Sequence, residues 1–316
     1  MKDNFKTAIV IPFYNASKQI ATVVAAIPDS FDAVIIVNDC SNDVLPESDI
    51  SHAINDKIEL IILNSNSNLG VGGATKIGFK YALENGFDII IKMDADNQMD
   101  AKFLPDLIKP LVNKKAEMTK GNRFSNRKLL KEMPVIRRFG NLFLSFLTKI
   151  ASGYWHNFDP TNGYFAIKTS VLKKIDFDKL SNRYFFETSL LSQLYFEKAR
   201  IKDITMPPIY ADEKSSMQIW KMPILFSRNL LKIFIKRIFK TYFLYDFNIT
   251  SIFILLGFPL FVFGLVFGIY NWIFYYNLQQ LTPTGTLMII TLSIILGFQL
   301  LLQAIQGDIA NAPKSK

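Results

Sequence analysis

The chain of 316 residues has a single cysteine, Cys40, and only two histidines, His52 and His156. One thiol excludes an intrachain disulfide, and so small a set of soft ligands argues against a zinc site of the usual kind. Charge is missing altogether between Asp246 and Asp308. Soluble helices rarely run so far without a charged face. The opening MKDNFKTAIVIPFYN lacks the long apolar run of a signal peptide, since Pro12 interrupts it, so the N-terminal part is expected in the cytosol. No internal repeat or low-complexity segment is visible.

What is present is apolar and basic. Half of the residues are hydrophobic, 14 % are aromatic, and the formal net charge is +9. The first two point to lipid contact. The charge fits a phosphate-rich partner, whether nucleotide, nucleic acid or anionic lipid, and does not choose among them. The first half alternates compact apolar runs with helical patterns. TAIVIP, AVIIV, IELIIL and DIIIKM read as strands, and helical stretches fall near 17–26, 74–85 and 101–112. Continuous apolar strands separated by helices predict an α/β fold, with a mostly parallel sheet covered on both faces. Ligands of such sheets bind beyond the carboxyl ends of the strands. The acidic and glycine-rich clusters of the first half fall at those ends. Farther on, EMTKGNRF predicts a strand and residues 136–150 a helix. FDPTNGYFAI reads as turn-rich, and a helix near 185–199 carries Glu187.

Residues 251–276 and 286–306 are each long enough to cross a hydrocarbon core of about 30 Å. The short polar connection between them makes the pair a transmembrane hairpin. Arg228, Lys232, Lys236, Arg237 and Lys240 interleave with large apolar side chains just before it. That spacing suits an amphipathic helix in the headgroup layer. Cations flank the pair on its outer ends and are missing from the connection. The positive-inside rule therefore puts both termini in the cytosol. The expected organisation is a cytosolic domain over 1–220, a basic juxtamembrane helix over 221–246, the two spans within 247–307, and a cytosolic tail over 308–316.

Three constellations could carry chemistry. Asp94 and Asp96 stand one residue apart where a strand frays into a loop. Both can lean toward a hard divalent cation such as Mg2+ or Mn2+, or be solvated acids ahead of a helix. Asp100 reads as the cap of that helix. Asn38, Asp39, Ser41 and Asp43 in NDCSND can accept from base and ribose donors, or form an Asx-rich turn. NSNLGVGGATKIG carries Gly70, Gly72, Gly73 and Gly78, and such glycines allow close backbone approach at a helix start, which favours anions. It lacks the ending of a P-loop and follows the wrong strand for a dinucleotide fingerprint.

Taken in order, PFYNA, NDCSND, NLGVGGA, MDADNQ, GNRF and DPTNGY resemble the family 2 inverting glycosyltransferases, over about the first 215 residues. The likeness is to the branch of dolichol-phosphate mannose synthase and bacterial polyprenyl-phosphate glycosyltransferases. It implies a GT-A-like, Rossmann-like sheet and a membrane enzyme using a UDP- or GDP-sugar. Pro12, Tyr14 and Asp39 are implied to line the base and ribose pocket, with Asn15 and Ser41 from the same two motifs. Gly70, Gly73 and Lys76 contribute from the glycine-rich turn. Asp94 and Asp96 match the metal and diphosphate motif, with Gln98 assisting. Arg123 matches an arginine near the acceptor phosphate, Asp159 lies near sugar and acceptor, and Glu187 takes the acidic position on the following helix. Lys214 and Ser216 belong to a segment resembling a loop that closes over the diphosphate.

The chain departs from the family pattern at Ala16, Cys40 and Phe165, where glutamate, glycine and arginine are usual. Arg137, Arg138 or Lys168 are the candidates to replace that arginine. No QxxRW motif is present, which argues against a processive polysaccharide synthase. The expected reaction moves a sugar to polyprenyl (undecaprenyl) phosphate on the cytosolic face of a bacterial inner membrane. A phosphate oxygen needs no strong base, whereas a saccharide acceptor would need Asp159 or Glu187 as one. A non-catalytic membrane scaffold with a nucleotide-binding fold is the reading from another class. The spans offer a surface for self-association into a homo-oligomer, and nucleic acid is not an expected partner.

Overall fold

The computed structural model describes residues 5–124, 135–207 and 222–315, the side chains of 135–139, 141 and 222–225 excepted. The chain forms two compact units, one of residues 1–233 with 313–316 and one of residues 234–312.

In the first unit β1 (Thr7–Phe13), β2 (Ala33–Asn38), β3 (Glu59–Asn64) and β4 (Ile89–Lys92) are parallel. With β5 (Met118–Asn122), β6 (Phe165–Lys168) and β7 (Ile201–Thr205) they make one seven-stranded sheet, ordered β3-β2-β1-β4-β6-β5-β7. Strand β6 runs antiparallel to both neighbours, while β5 and β7 are parallel to each other. The turn-rich reading of 158–167 misses β6, and β7 has no counterpart among the sequence expectations. Both are short, and their partners lie far away in the chain, so local pattern carries little of the signal.

Strands β1, β2 and β4 are buried on both faces, as their unbroken apolar runs require. One face packs Ile9, Ile11, Val34 and Ile36 against α1 (Ser17–Ala25), α2 (Glu47–Ala53) and α4 (Leu104–Val112). The other packs Val10, Ile35, Ile90 and Phe165 against α3 (Val71–Glu84) and further helices of the unit. In register, Phe13, Asn38 and Asn64 stand side by side, so the loops after β1, β2 and β3 leave from one edge. Helix α5 (Val135–Ser152) precedes β6, α6 (Thr169–Leu172) follows it, and α7 (Phe186–Phe196) leads to β7.

Helix α8 (Met222–Phe239) carries the chain into the second unit. There α9 (Ile249–Asn277) and α10 (Thr284–Ala310) are long and apolar enough to cross a membrane. They approach closely at Gly264, where a Cβ would come 2.9 Å from the backbone nitrogen of Ile294. Small residues at helix contacts permit this in lipid-facing pairs. Asn248 and Ser251 form a capping box at the start of α9.

Arg237 departs from its expected place among the surface cations. It is 1 % exposed and binds Asp308 in two-pronged fashion, Nη1 to Oδ1 at 2.6 Å and Nη2 to Oδ2 at 2.9 Å. The Tyr242 hydroxyl donates to the same Oδ1 at 2.7 Å. Asp308 is thus part of a helix and a buried pair, not the start of a tail. Arg228, Lys232 and Lys236 are exposed.

Removing one member of a buried pair leaves an unpaired charge, so Asp308→Ala should cost about 3–5 kcal/mol of stability. Replacing both Arg237 and Asp308 by Met should recover most of it, as read by thermal unfolding of the full chain in detergent. Equal losses in the single and double variants would contradict the pairing.

Candidate active site

Four strand ends build one cavity of about 410 Å³, lined by Pro12, Tyr14, Asp39, Gly70, Asp94 and Asp96 among others. The loops that form it are stitched together by short polar side chains. Asn15, with φ of 52°, donates its N–H to Ser41 Oγ at 2.7 Å and accepts at Oδ1 from the N–H of Asn42 at 3.1 Å. Asp39 is 2 % exposed, and its carboxylate accepts from the N–H groups of Leu69 at 2.8 Å and Gly70 at 2.7 Å. Ser65 Oγ donates to it as well, at 3.1 Å. Asp39 therefore lines the cavity and also anchors the glycine-rich turn. Cys40, where the family pattern has glycine, has φ of 51°, the left-handed region that glycine tolerates best.

The glycine-rich turn owes its composition to a neighbour in the protein. A Cβ on Gly70 would come 2.9 Å from the carbonyl oxygen of Asn182, and one on Gly72 would come 2.8 Å from Phe186 Cβ. The N–H of Gly73 donates to the Asn182 carbonyl at 2.9 Å. Only glycine lets this segment close on the turn, which brings Arg183 and Tyr184 to the cavity wall. Lys76, expected to contribute from the glycine-rich turn, donates its ammonium to the carbonyls of Phe177 and Leu180 and is not among the lining residues. Neither Gly73 nor Gln98 is among the lining residues; Gln98 donates its N–H to Asp96 Oδ1 at 3.0 Å.

Asp94 meets a cation that the sequence motifs do not mark. Lys92, the last residue of β4, is 1 % exposed, and its Nζ lies 2.6 Å from Asp94 Oδ1 and 3.5 Å from Glu187 Oε1. Burial works against the Lys92 charge, but Asp94 and then Glu187 outweigh it and hold the ammonium above the usual lysine range. Asp94 keeps 29 % of its side chain exposed, at the cavity. Asp100 behaves as expected, capping the turn Ala101–Phe103 by accepting from the N–H of Lys102 at 3.0 Å.

A second polar cluster lies outside the cavity lining. Asp159 is fully buried with φ of 52°, and it accepts from Arg123 Nε at 2.7 Å and Nη2 at 2.8 Å. Buried Lys120 donates to the carbonyls of Asp159 and Asn162, each at 2.5 Å. Desolvation pulls that lysine down to about 8, against the pull of Asp159 and Glu187. For Asp159, burial pushes the carboxyl up, yet the Arg123 and Lys120 charges outweigh it and hold it below the usual range. A carboxylate so engaged is a poor general base.

Phe165 sits in the core against Phe79, ring centroids 6.2 Å apart. Lys168 pairs opposite Ile89, at the far end of β4 from Asp94, and does not supply one. Lys214 and Ser216, and the side chains of Arg137 and Arg138, lie outside the described residues.

The depressed Asp159 pKa carries a sign. Stability from the pair is present above the unfolded value of about 3.9 and is lost as pH falls through the lower folded value. Arg123→Met should therefore cost about 2–3 kcal/mol at pH 7, with the difference shrinking below about pH 4. Thermal unfolding of both proteins across that range checks it, and a pH-independent gap would refute it.

Residues 8–176 match the family described as Glycosyl transferase family 2. The chain is 32 % identical over 216 residues to a UDP-N-acetylglucosamine–dolichyl-phosphate N-acetylglucosaminyltransferase of Methanococcus voltae, covering 65 % of this chain and 86 % of that protein. An undecaprenyl-phosphate mannosyltransferase of Micrococcus luteus is 28 % identical, with 63 % of this chain and 81 % of that one covered. Among solved structures, a glucosyl-3-phosphoglycerate synthase from Mycobacterium tuberculosis superposes with a TM-score of 0.53 at 16 % identity, over 74 % and 80 % of the two chains. That likeness is one of fold, and it is the GT-A-like fold that the motif order implies. With the motifs gathered at one sheet edge and more than half of the chain matched, this protein belongs to glycosyl transferase family 2 and is a glycosyltransferase.

Proposed function

We propose that this glycosyltransferase moves a sugar from a nucleoside-diphosphate sugar to a polyprenyl phosphate at a membrane surface, with inversion at the anomeric carbon. The observation that carries the reading is the commitment of both candidate bases. Asp159 is bound by Arg123, and Glu187 is buried beside Lys92. A site arranged this way suits an acceptor that is already anionic. The acceptor's phosphate oxygen attacks the anomeric carbon, the bond from that carbon to the diphosphate oxygen breaks, and no proton need be removed. The protein's part is to hold the two in line and to stabilise the departing diphosphate. The relatives named for dolichyl- and undecaprenyl-phosphate acceptors support the choice.

Pro12 and Tyr14 would receive the base and ribose on the cavity wall that Asp39 braces. Asp94 and Asp96 offer an oxygen-only donor set at the same wall, which fits Mg2+ or Mn2+ and leaves coordination positions for phosphate oxygens. When bound, such an ion would neutralise charge on the leaving diphosphate. Arg183, also in the lining, adds a cation for the same phosphates. Helices α9 and α10 would anchor the chain in the cytoplasmic membrane, both ends on the cytosolic side. An anchored enzyme meets its lipid acceptor within the same surface.

The test is transfer from labelled UDP- and GDP-sugars in vesicles with polyprenyl phosphate or with soluble saccharides. Label should enter the lipid, a chelator should abolish it, and Asp96→Asn should lower kcat by about 10²-fold or more. Transfer to saccharides alone, or an unaffected Asp96→Asn variant, would overturn the assignment.

A further inference from the structure

Lys92 is the least expected group in the site. Its ammonium is buried at the end of a central strand, where an unpaired charge would be strongly disfavoured. It has two carboxylate partners, from two different elements: Asp94 on the loop after β4, at 2.6 Å, and Glu187 on α7, at 3.5 Å. Room for the three comes from Gly163. A Cβ there would collide with the ammonium and come 3.1 Å from Asp94 Oδ2 and 3.3 Å from Glu187 Oε1. The glycine of DPTNGY is thus a space left for this cluster.

The geometry has a consequence for any cation bound at the cavity. Lys92 grips Asp94 through Oδ1, so one oxygen of that carboxylate is already matched by a positive charge. A second cation on the same carboxylate is repelled by the first. Glu187 draws on the same ammonium from the other side, and so moderates its hold on Asp94. We propose that Lys92 is a positioning residue that orients Asp94 and lowers the affinity of Asp94 and Asp96 for a divalent cation, with Glu187 setting the strength of that effect. A lowered affinity suits a site that must release its diphosphate product together with the ion after each transfer. The inference rests on the proposed role of Asp94 and Asp96.

Mn2+ alone is the probe, its free fraction followed by electron paramagnetic resonance with the purified full chain in detergent. Lys92→Met should bind Mn2+ about 5-fold more tightly or better, in the usual range of coupling between neighbouring sites. It should lower kcat at saturating donor, because Asp94 is no longer held, and Lys92→Arg should restore wild-type Mn2+ affinity. Glu187→Gln leaves the ammonium to Asp94 alone and should shift affinity the opposite way, toward weaker binding. That second variant decides the matter should Lys92→Met fail to fold. A purely structural lysine would give no such pair of opposite shifts. Unchanged or weakened binding in Lys92→Met, or unchanged or tightened binding in Glu187→Gln, overturns the proposal. Asp96→Asn serves as the separate control: if it and the wild type bind Mn2+ alike, the cation assignment itself fails, whatever Lys92 does.

Discussion

The buried ammonium of Lys92 ties three distant segments of the first unit to one point. A lysine at the end of a strand covered on both faces cannot remain charged without partners. Its partners come from the loop after β4 and from α7, residues 94 and 187, with Gly163 keeping the space between them open. The end of the central strand, the start of a helix almost a hundred residues later and the turn before β6 are therefore bound to one point. The face of the cavity that holds Asp94 inherits its position from that point.

Around it, polar side chains are used as internal braces before any ligand arrives. Asp39 holds the N–H groups of Leu69 and Gly70, Ser41 holds Asn15, and Lys120 holds the two carbonyls of the turn at Asp159. The braces from Asp39 and Lys120 satisfy buried or half-buried groups that would otherwise cost stability. The acids and bases of the site are matched to one another, so little is left to act as a strong base. That distribution of charge favours chemistry by placement and electrostatic stabilisation over chemistry by proton transfer.

The second unit applies the same rule in apolar surroundings. Helices α9 and α10 carry no charge along their length until Asp308, and that carboxylate is taken up by Arg237 and Tyr242. A basic segment whose spacing reads as an amphipathic helix of the headgroup layer thus has one arginine turned inward. The spacing of cations along a helix reports which residues share a face, but a single buried acid far along the chain redirects one of them.

Much of this protein is legible in its residues. Unbroken apolar runs in β1, β2 and β4 require a sheet covered on both faces, because only such a sheet buries both sides of a strand. Asp94, Asp96 and Asp100 follow a strand, and their spacing separates two cavity-lining carboxylates from a cap. Sixty-odd uncharged positions at the carboxyl end leave no reading but long apolar helices. Other features were decided only when distant segments met. The glycines near Gly70 serve the approach of Asn182 and Phe186, Lys76 turns to carbonyls near Phe177, and Asp159 is spent on Arg123. Strands β6 and β7 exist because of partners, not pattern. Lys92 shows the difference most clearly: its charge is written in the sequence, but which carboxylates answer it depends on a strand end and a helix start that only the folded chain brings within a hydrogen bond of each other.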